Sequence, residues 1–174
     1  MPRLIAMLGP SGAGKDSLLD YARARMPDLY IQKRVITRPP HPDSEDYISV
    51  DDAGFAAMDA AGEFLFRWQA HGVAYGIPSA CLDAMADGRV AVFNGSRSAF
   101  PRMREARPDL EGVWIEVSVD ILASRLAERG RESLDDIPKR LLRQAPLPQE
   151  GATVISNNGA LEDAGNALVE FLSP

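Results

Sequence analysis

An α/β fold built on a doubly wound parallel sheet is predicted by three features of this sequence. The apolar run Leu4-Ile5-Ala6-Met7-Leu8 passes through a glycine-rich turn, Gly9-Pro10-Ser11-Gly12-Ala13-Gly14, into a helical pattern that begins after Lys15. Short apolar runs then alternate with segments of helical spacing to the end of the chain. A length of 174 residues, 45% hydrophobic and 25% charged, suits one globular domain with small insertions.

The first strand, turn and helix fix the chemistry. Gly9 through Lys15 fits the phosphate-loop pattern G-x-x-x-x-G-K-[ST] up to its last position. Glycines let backbone N–H groups close on a polyphosphate, and the following helix aims its positive end at the same anion. The stretch Gly9, Pro10, Ser11, Gly12, Ala13, Gly14, Lys15, Asp16 and Ser17 is therefore the candidate nucleotide site, with Lys15 reaching the terminal phosphates. Asp16 departs from the pattern, standing where a hydroxyl would touch Mg²⁺, and Ser17 follows it. A carboxylate is a hard ligand for that ion, and an acid in a first helical turn is also favoured by the dipole; both readings of Asp16 stay open.

The helix should end before Pro27, and Tyr30 to Thr37 reads as one strand that Arg38-Pro39-Pro40-His41-Pro42 cannot continue. A small mixed unit over about residues 38–78 follows. Asp43-Ser44-Glu45-Asp46 reads as a solvated turn and Tyr47 to Val50 as a short strand. Asp51 suits an N-cap for a helix over Ala53 to Ala61. Phe64 to Trp68 and Val73 to Tyr75 read as a hairpin around His71-Gly72.

The core, residues 1–37 and 79–174, resumes with a helix near Ser79 to Ala86 closed by Gly88, then the strand Val90 to Phe93 ending at Asn94-Gly95-Ser96. Ligands in open parallel sheets bind beyond the carboxyl ends of strands, so this end is a candidate site. Next come a helix over Phe100 to Arg107, a strand over Val113 to Val119, and a helix with Ile121, Leu122, Arg125, Leu126 and Arg129 at helical spacing. A helix over Leu134 to Gln144, a strand over Thr153 to Ile155 and a helix over Leu161 to Leu172 complete the pattern.

A net charge of −6 argues against non-specific binding to nucleic acid or anionic membranes, so any phosphate site must be a local cluster of cations. The single cysteine, Cys81, excludes an internal disulfide and reads as a small buried residue in a reducing compartment. No apolar run approaches a membrane span, and the first strand starts too early to leave a secretory leader, so a cytoplasmic location is expected. Composition leaves the oligomeric state undetermined.

With these segments in place, the chain resembles the guanylate kinase family along its length, through Gly9 to Lys15, Thr37-Arg38-Pro39-Pro40, Tyr75-Gly76, Arg129-Gly130 and Lys139-Arg140-Leu141. The resemblance implies a P-loop kinase with an inserted acceptor-binding unit and a helical lid over about residues 129–143, using ATP and Mg²⁺. It implies that Arg38, Tyr47 and Tyr75 bind the acceptor's phosphate, and that Lys15, Arg129 and Arg140 act on the transferred group. Asp16 and Ser17 become the candidate metal residues. Where the family carries a second acceptor arginine, this chain has His41.

The base-reading positions depart from the family. Phe66 stands for its glutamate, Ile77 for a serine or threonine, and Asn94-Gly95 for an aspartate. A site built to hydrogen-bond guanine does not survive those losses. The departures resemble a branch whose acceptor is a pentose bisphosphate, with a second phosphate where GMP has its base. A carboxylate at ~5 Å from that phosphate would cost about 3 kcal/mol per unit charge at an effective dielectric near 20, so its removal is expected. Arg67, Arg97 and Arg102 are the cations nearest in sequence, with Asn94 and Arg97 best placed to bind substrate. The rival readings are a nucleoside monophosphate kinase of altered base preference, another small-molecule kinase, and a non-catalytic binding module. His41 and His71 are in turn contexts, and an already ionised acceptor phosphate needs no general base.

Overall fold

The computed structural model describes residues 1–40, 45–128 and 150–173. Among them are nine strands and six helices: β1 (Arg3–Leu8), α1 (Lys15–Arg25), β2 (Tyr30–Gln32), β3 (Val35–Ile36), β4 (Ile48–Ser49), α2 (Asp52–Ala60), β5 (Phe64–Ala70), β6 (Val73–Pro78), α3 (Ala80–Ala86), β7 (Val90–Asn94), α4 (Phe100–Ala106), β8 (Leu110–Glu116), α5 (Val119–Glu128), β9 (Ala152–Ser156) and α6 (Leu161–Leu172). The helix expected over Leu134 to Gln144, and with it Arg129 and Arg140, lies outside the described residues, as does His41.

Two sheets carry the strands. One is five-stranded in the order β2-β7-β1-β8-β9, the other four-stranded in the order β4-β3-β6-β5. In the first, β2 runs parallel to β7 and β8 parallel to β9, the pairing expected when helices connect the strands. The chain divides into two compact units, Met1–Ala6 with Asp28–Glu111, and Met7–Pro27 with Gly112–Pro174.

One sequence expectation is corrected here. Tyr30 to Thr37 is two strands: Tyr30 pairs with Ala91 in the first sheet, whereas Val35 pairs with Gly76 in the second. Both pieces are short runs rich in strand-forming residues, and such composition does not encode a change of partner. The break falls at Lys33-Arg34, where the Gln32 amide donates to the Lys33 carbonyl at 2.9 Å.

In the unit containing the second sheet, Asp51 caps α2, its carboxylate accepting from the Gly54 N–H at 2.7 Å. His71 and Gly72 both take left-handed backbone angles, φ 53° and 74°, as a two-residue hairpin turn requires. Cys81 is buried in α3, and desolvation pushes its thiol up to about 11, so it is a packing residue. In the other unit, Leu18, Trp114, Ile115, Leu168 and Leu172 are buried. There α6 approaches α1 so closely that a Cβ at Gly165 would sit 2.4 Å from the Tyr21 ring, and the Tyr21 hydroxyl donates to Asn166 Oδ1 at 2.8 Å. That contact fixes the helix behind the glycine-rich turn. No helix among the described residues is long and apolar enough to cross a membrane.

Candidate active site

The glycine-rich turn has the geometry of a phosphate cradle. Gly9, Gly12 and Gly14 have φ of 149°, 85° and 87°, values closed to most side chains. A Cβ at Gly9 would lie 2.8 Å from the Ile115 carbonyl oxygen, and one at Gly14 would lie 2.7 Å from the Asn157 amide nitrogen. Gly14 is also the residue from which α1 starts, so the loop ends on a helix N-terminus. The Lys15 ammonium curls back to donate to the Gly9 and Pro10 carbonyls, each at 2.9 Å, which stations its charge over the loop.

Residues from the far end of the same unit brace the turn from behind. β9 pairs with β8 up to Glu116 and Ser156, and the next residue, Asn157, is buried at 3% exposure. Its backbone N–H donates to Glu116 at 2.8 Å and its side-chain amide to the Ala13 carbonyl at 2.7 Å. Asn158 accepts from the Ser118 N–H at 2.7 Å, where α5 begins, and α5 carries Arg125. The Arg125 guanidinium donates to the Asn157 carbonyl at 3.0 Å and reaches the Ala13 carbonyl at 3.5 Å.

The loop thus fits a nucleotide's phosphates, because its conformation and the space behind it exclude side chains and its flanks are cationic. Asp16 and Ser17 are exposed in the first turn of α1. A Mg²⁺ held chiefly by phosphate and water oxygens needs only one or two such protein oxygens, so these residues fit the ion.

The other unit holds the predicted acceptor residues. Arg38 lies against Tyr47, its Nε donating to the hydroxyl at 3.3 Å and its guanidinium carbon 5.0 Å from the ring centroid. The Tyr47 hydroxyl in turn donates to the Pro39 carbonyl at 2.6 Å. The Thr37 N–H donates to the Ala74 carbonyl at 3.1 Å, and the Ala74 N–H to Thr37 Oγ1 at 2.9 Å, which sets the strand carrying Tyr75 beside Arg38. Tyr75 stacks on Trp68 with centroids 5.2 Å apart and planes 4° from parallel. On the same face of that hairpin, Phe66 and Ile77 pair and are buried, with Phe66 5.8 Å from Phe93. This floor is apolar.

Asn94, at the carboxyl end of β7, donates to Glu45 Oε2 at 3.1 Å. Glu45 corrects a second expectation. It is no part of a solvated turn, since its side chain is 13% exposed and both its oxygens accept from Arg34. A run of acidic and small polar residues reads as solvent-facing when the cation that buries one of them is eleven positions away. Arg97 lies exposed in the turn after β7, Arg102 is exposed on α4, and exposed Arg67 pairs with Asp59 at 3.0 Å.

Four residues of these clusters escaped sequence reasoning as site residues: Arg34, Glu45, Arg125 and Asn157. Arg34 sits four positions before Arg38, which in an extended chain is the same face. Asn157 directly follows a parallel strand, the feature that singled out Asn94.

The comparisons with known proteins agree with this geometry. The family model described as guanylate kinase matches residues 1–174. A protein of Laribacter hongkongensis named ribose 1,5-bisphosphate phosphokinase PhnN is 46% identical over 174 residues, 98% of this chain, although this chain spans only 42% of that longer protein. A protein of the same name from Agrobacterium fabrum is 43% identical over 174 residues, covering 97% of this chain and 95% of its own length. Among solved structures, a guanylate kinase from Anaplasma phagocytophilum superposes with a TM-score of 0.66 at 20% identity over 98% of this chain and 83% of that one, a likeness of fold.

Proposed function

The chain belongs to the guanylate kinase family, and we propose that it transfers the γ-phosphoryl group of ATP to the 1-phosphate of ribose 1,5-bisphosphate. The products are ADP and 5-phosphoribosyl 1-pyrophosphate (PRPP), and the setting is phosphonate catabolism in the cytoplasm. The observation that carries the reading is a phosphate loop with its glycine conformations and lysine in a chain whose acceptor-side floor is Phe66 and Ile77, two buried apolar residues where a base edge would need polar ones. The relatives' names support the same substrate.

The reaction forms a bond between an acceptor phosphate oxygen and the γ-phosphorus as the bond from that phosphorus to the ADP oxygen breaks. The attacking oxygen is already ionised at neutral pH, so no side chain removes a proton. Catalysis is positioning and charge neutralisation. The backbone from Gly9 to Gly14 and the Lys15 ammonium hold the donor, with Arg129 and Arg140 as the lid cations over residues 129–143. Arg38, Tyr47 and Tyr75 of the unit over about residues 38–78 and its border with the core hold the phosphate that attacks, and Asn94 and Arg97, at the carboxyl end of β7, bind the rest of the acceptor. Asp16 and Ser17 would hold Mg²⁺, which would supply charge neutralisation on the donor phosphates.

A second reading, a nucleoside monophosphate kinase of altered base preference, is favoured by Glu45 and Asn94, since a carboxylate and a carboxamide together suit a base edge. A coupled assay of ADP release over ribose 1,5-bisphosphate, GMP and AMP separates the two. The bisphosphate is expected to be the best acceptor, and Lys15→Ala to cut its turnover by roughly 10³-fold or more with an unchanged melting temperature. Wild-type preference for either nucleotide overturns the proposal.

A further inference from the structure

Arg34 is held by backbone, ring and carboxylate contacts in the acceptor-side unit. Its backbone carbonyl accepts from the Ile48 N–H at 2.8 Å, which ties it to β4. Its guanidinium carbon lies 5.0 Å from the Tyr75 centroid and 5.9 Å from that of Trp68, so the stacked pair forms a platform beneath it. Nε and Nη2 each donate to one oxygen of Glu45. The side chain is 15% exposed.

A planar guanidinium that offers two parallel N–H groups recognises a carboxylate and a phosphate in the same way. We propose that Arg34 is the seat of the acceptor's second phosphate, the 5-phosphate, and that the Glu45 carboxylate is an internal anion which that phosphate displaces. This inference rests on the ribose 1,5-bisphosphate reading above and assigns one end of that ligand. Arg34 and Arg38 bracket β3 four positions apart, so at most about 13 Å of chain separates them and they can address two phosphates of one small molecule. Asn94, on the strand end where a ligand is expected, donates to the same Glu45 oxygen that Arg34 Nε reaches. Arg67, Arg97 and Arg102, the cations nearest in sequence, are exposed and lack such a platform.

The charge exchange makes the proposal testable with a fragment. Ribose 5-phosphate carries only the distal phosphate and serves as a competitive inhibitor against ribose 1,5-bisphosphate. Arg34→Gln is expected to raise its inhibition constant and the KM for the bisphosphate at least tenfold, while the KM for ATP stays within twofold. Arg34→Lys, which keeps the charge and loses the fork, should fall between the two. Glu45→Gln, which weakens the internal competitor, should lower both acceptor constants several-fold, and it tests the exchange even if Arg34→Gln fails to fold. Arg102→Ala, at an exposed position on α4, should change the inhibition constant less than threefold. The inference is overturned if Arg34→Gln binds ribose 5-phosphate as wild type does, if Glu45→Gln weakens both ligands, or if Arg102→Ala carries the loss instead. If wild-type protein does not phosphorylate the bisphosphate at all, the functional reading itself has failed.

Discussion

Asn157, the first residue beyond β9, donates its side-chain amide to the carbonyl of Ala13 inside the glycine-rich turn, at 2.7 Å and buried. One carboxamide therefore ties the last strand of the sheet to the loop after the first. The same amide nitrogen would lie 2.7 Å from a Cβ at Gly14, so the brace and the glycine are one packing solution. A phosphate loop must hold its N–H groups in place before the ligand arrives, because ordering them on binding would be subtracted from affinity.

Asn157→Ala should therefore loosen the donor side selectively. Losing a buried hydrogen bond and leaving the Ala13 carbonyl without it should cost about 1–3 kcal/mol of stability. The KM for ATP should rise roughly tenfold, with the acceptor KM within a factor of two. Thermal melting together with steady-state kinetics in both substrates checks this. Equal rises in both KM values would reduce Asn157 to a general packing role.

Asp16 offers a sharper question about the metal. If its carboxylate holds Mg²⁺, Asp16→Ser restores the hydroxyl of the common loop pattern and should shift the magnesium concentration for half-maximal activity severalfold. The alternative is a helix-dipole acid, worth about 0.3–1 kcal/mol of stability with no change in the titration. The magnesium titration decides between them, since only the metal reading moves it, while the melting curve reports the dipole contribution in either case.

The legible parts of the chain were those with local causes. The loop from Gly9 to Lys15, the Asp51 cap, the His71-Gly72 turn and the limits of α6 all follow from neighbours in sequence, and the structure has each of them. The illegible parts depend on which distant partner a residue finds. Arg34 and Glu45 look like surface charges until the chain leaves the first sheet after β2 and brings Arg34 over Trp68 and Tyr75, where it pairs with Glu45. Asn157 and Arg125 converge on Ala13 from β9 and α5, which no spacing rule connects. The candidate acceptor residues Arg38 and Tyr47 came from a family pattern, and their contact, beside β3 and β4, is one that local propensity does not contain.

The Arg3–Glu111 pair gives a prediction for stability against pH. Arg3 Nε and Nη2 donate to the two Glu111 oxygens at 2.7 and 2.8 Å. Those hydrogen bonds, opposed by partial burial, hold the Glu111 carboxyl below its ordinary value of 4.5. The unfolded chain thus binds the proton at a higher pH than the native protein does. The pair's contribution is complete above about pH 4.5, and it is lost as the pH falls through the lower native value. Glu111 is 42% exposed, so solvent screening limits the pair to about 0.5 kcal/mol. Glu111→Gln should then melt about 1–2 °C below wild type at pH 7 and converge with it as the pH is lowered toward 3. Asp109 is held down in the same way by Arg107, so the difference between variant and wild type, in which Asp109 cancels, is the quantity to follow. The gap at pH 7 should also narrow in 1 M salt, where exposed charges are screened within about 3 Å. A gap that stays constant from pH 7 to 3 would mean that Glu111 acts through packing alone, and the electrostatic account of this pair would be wrong.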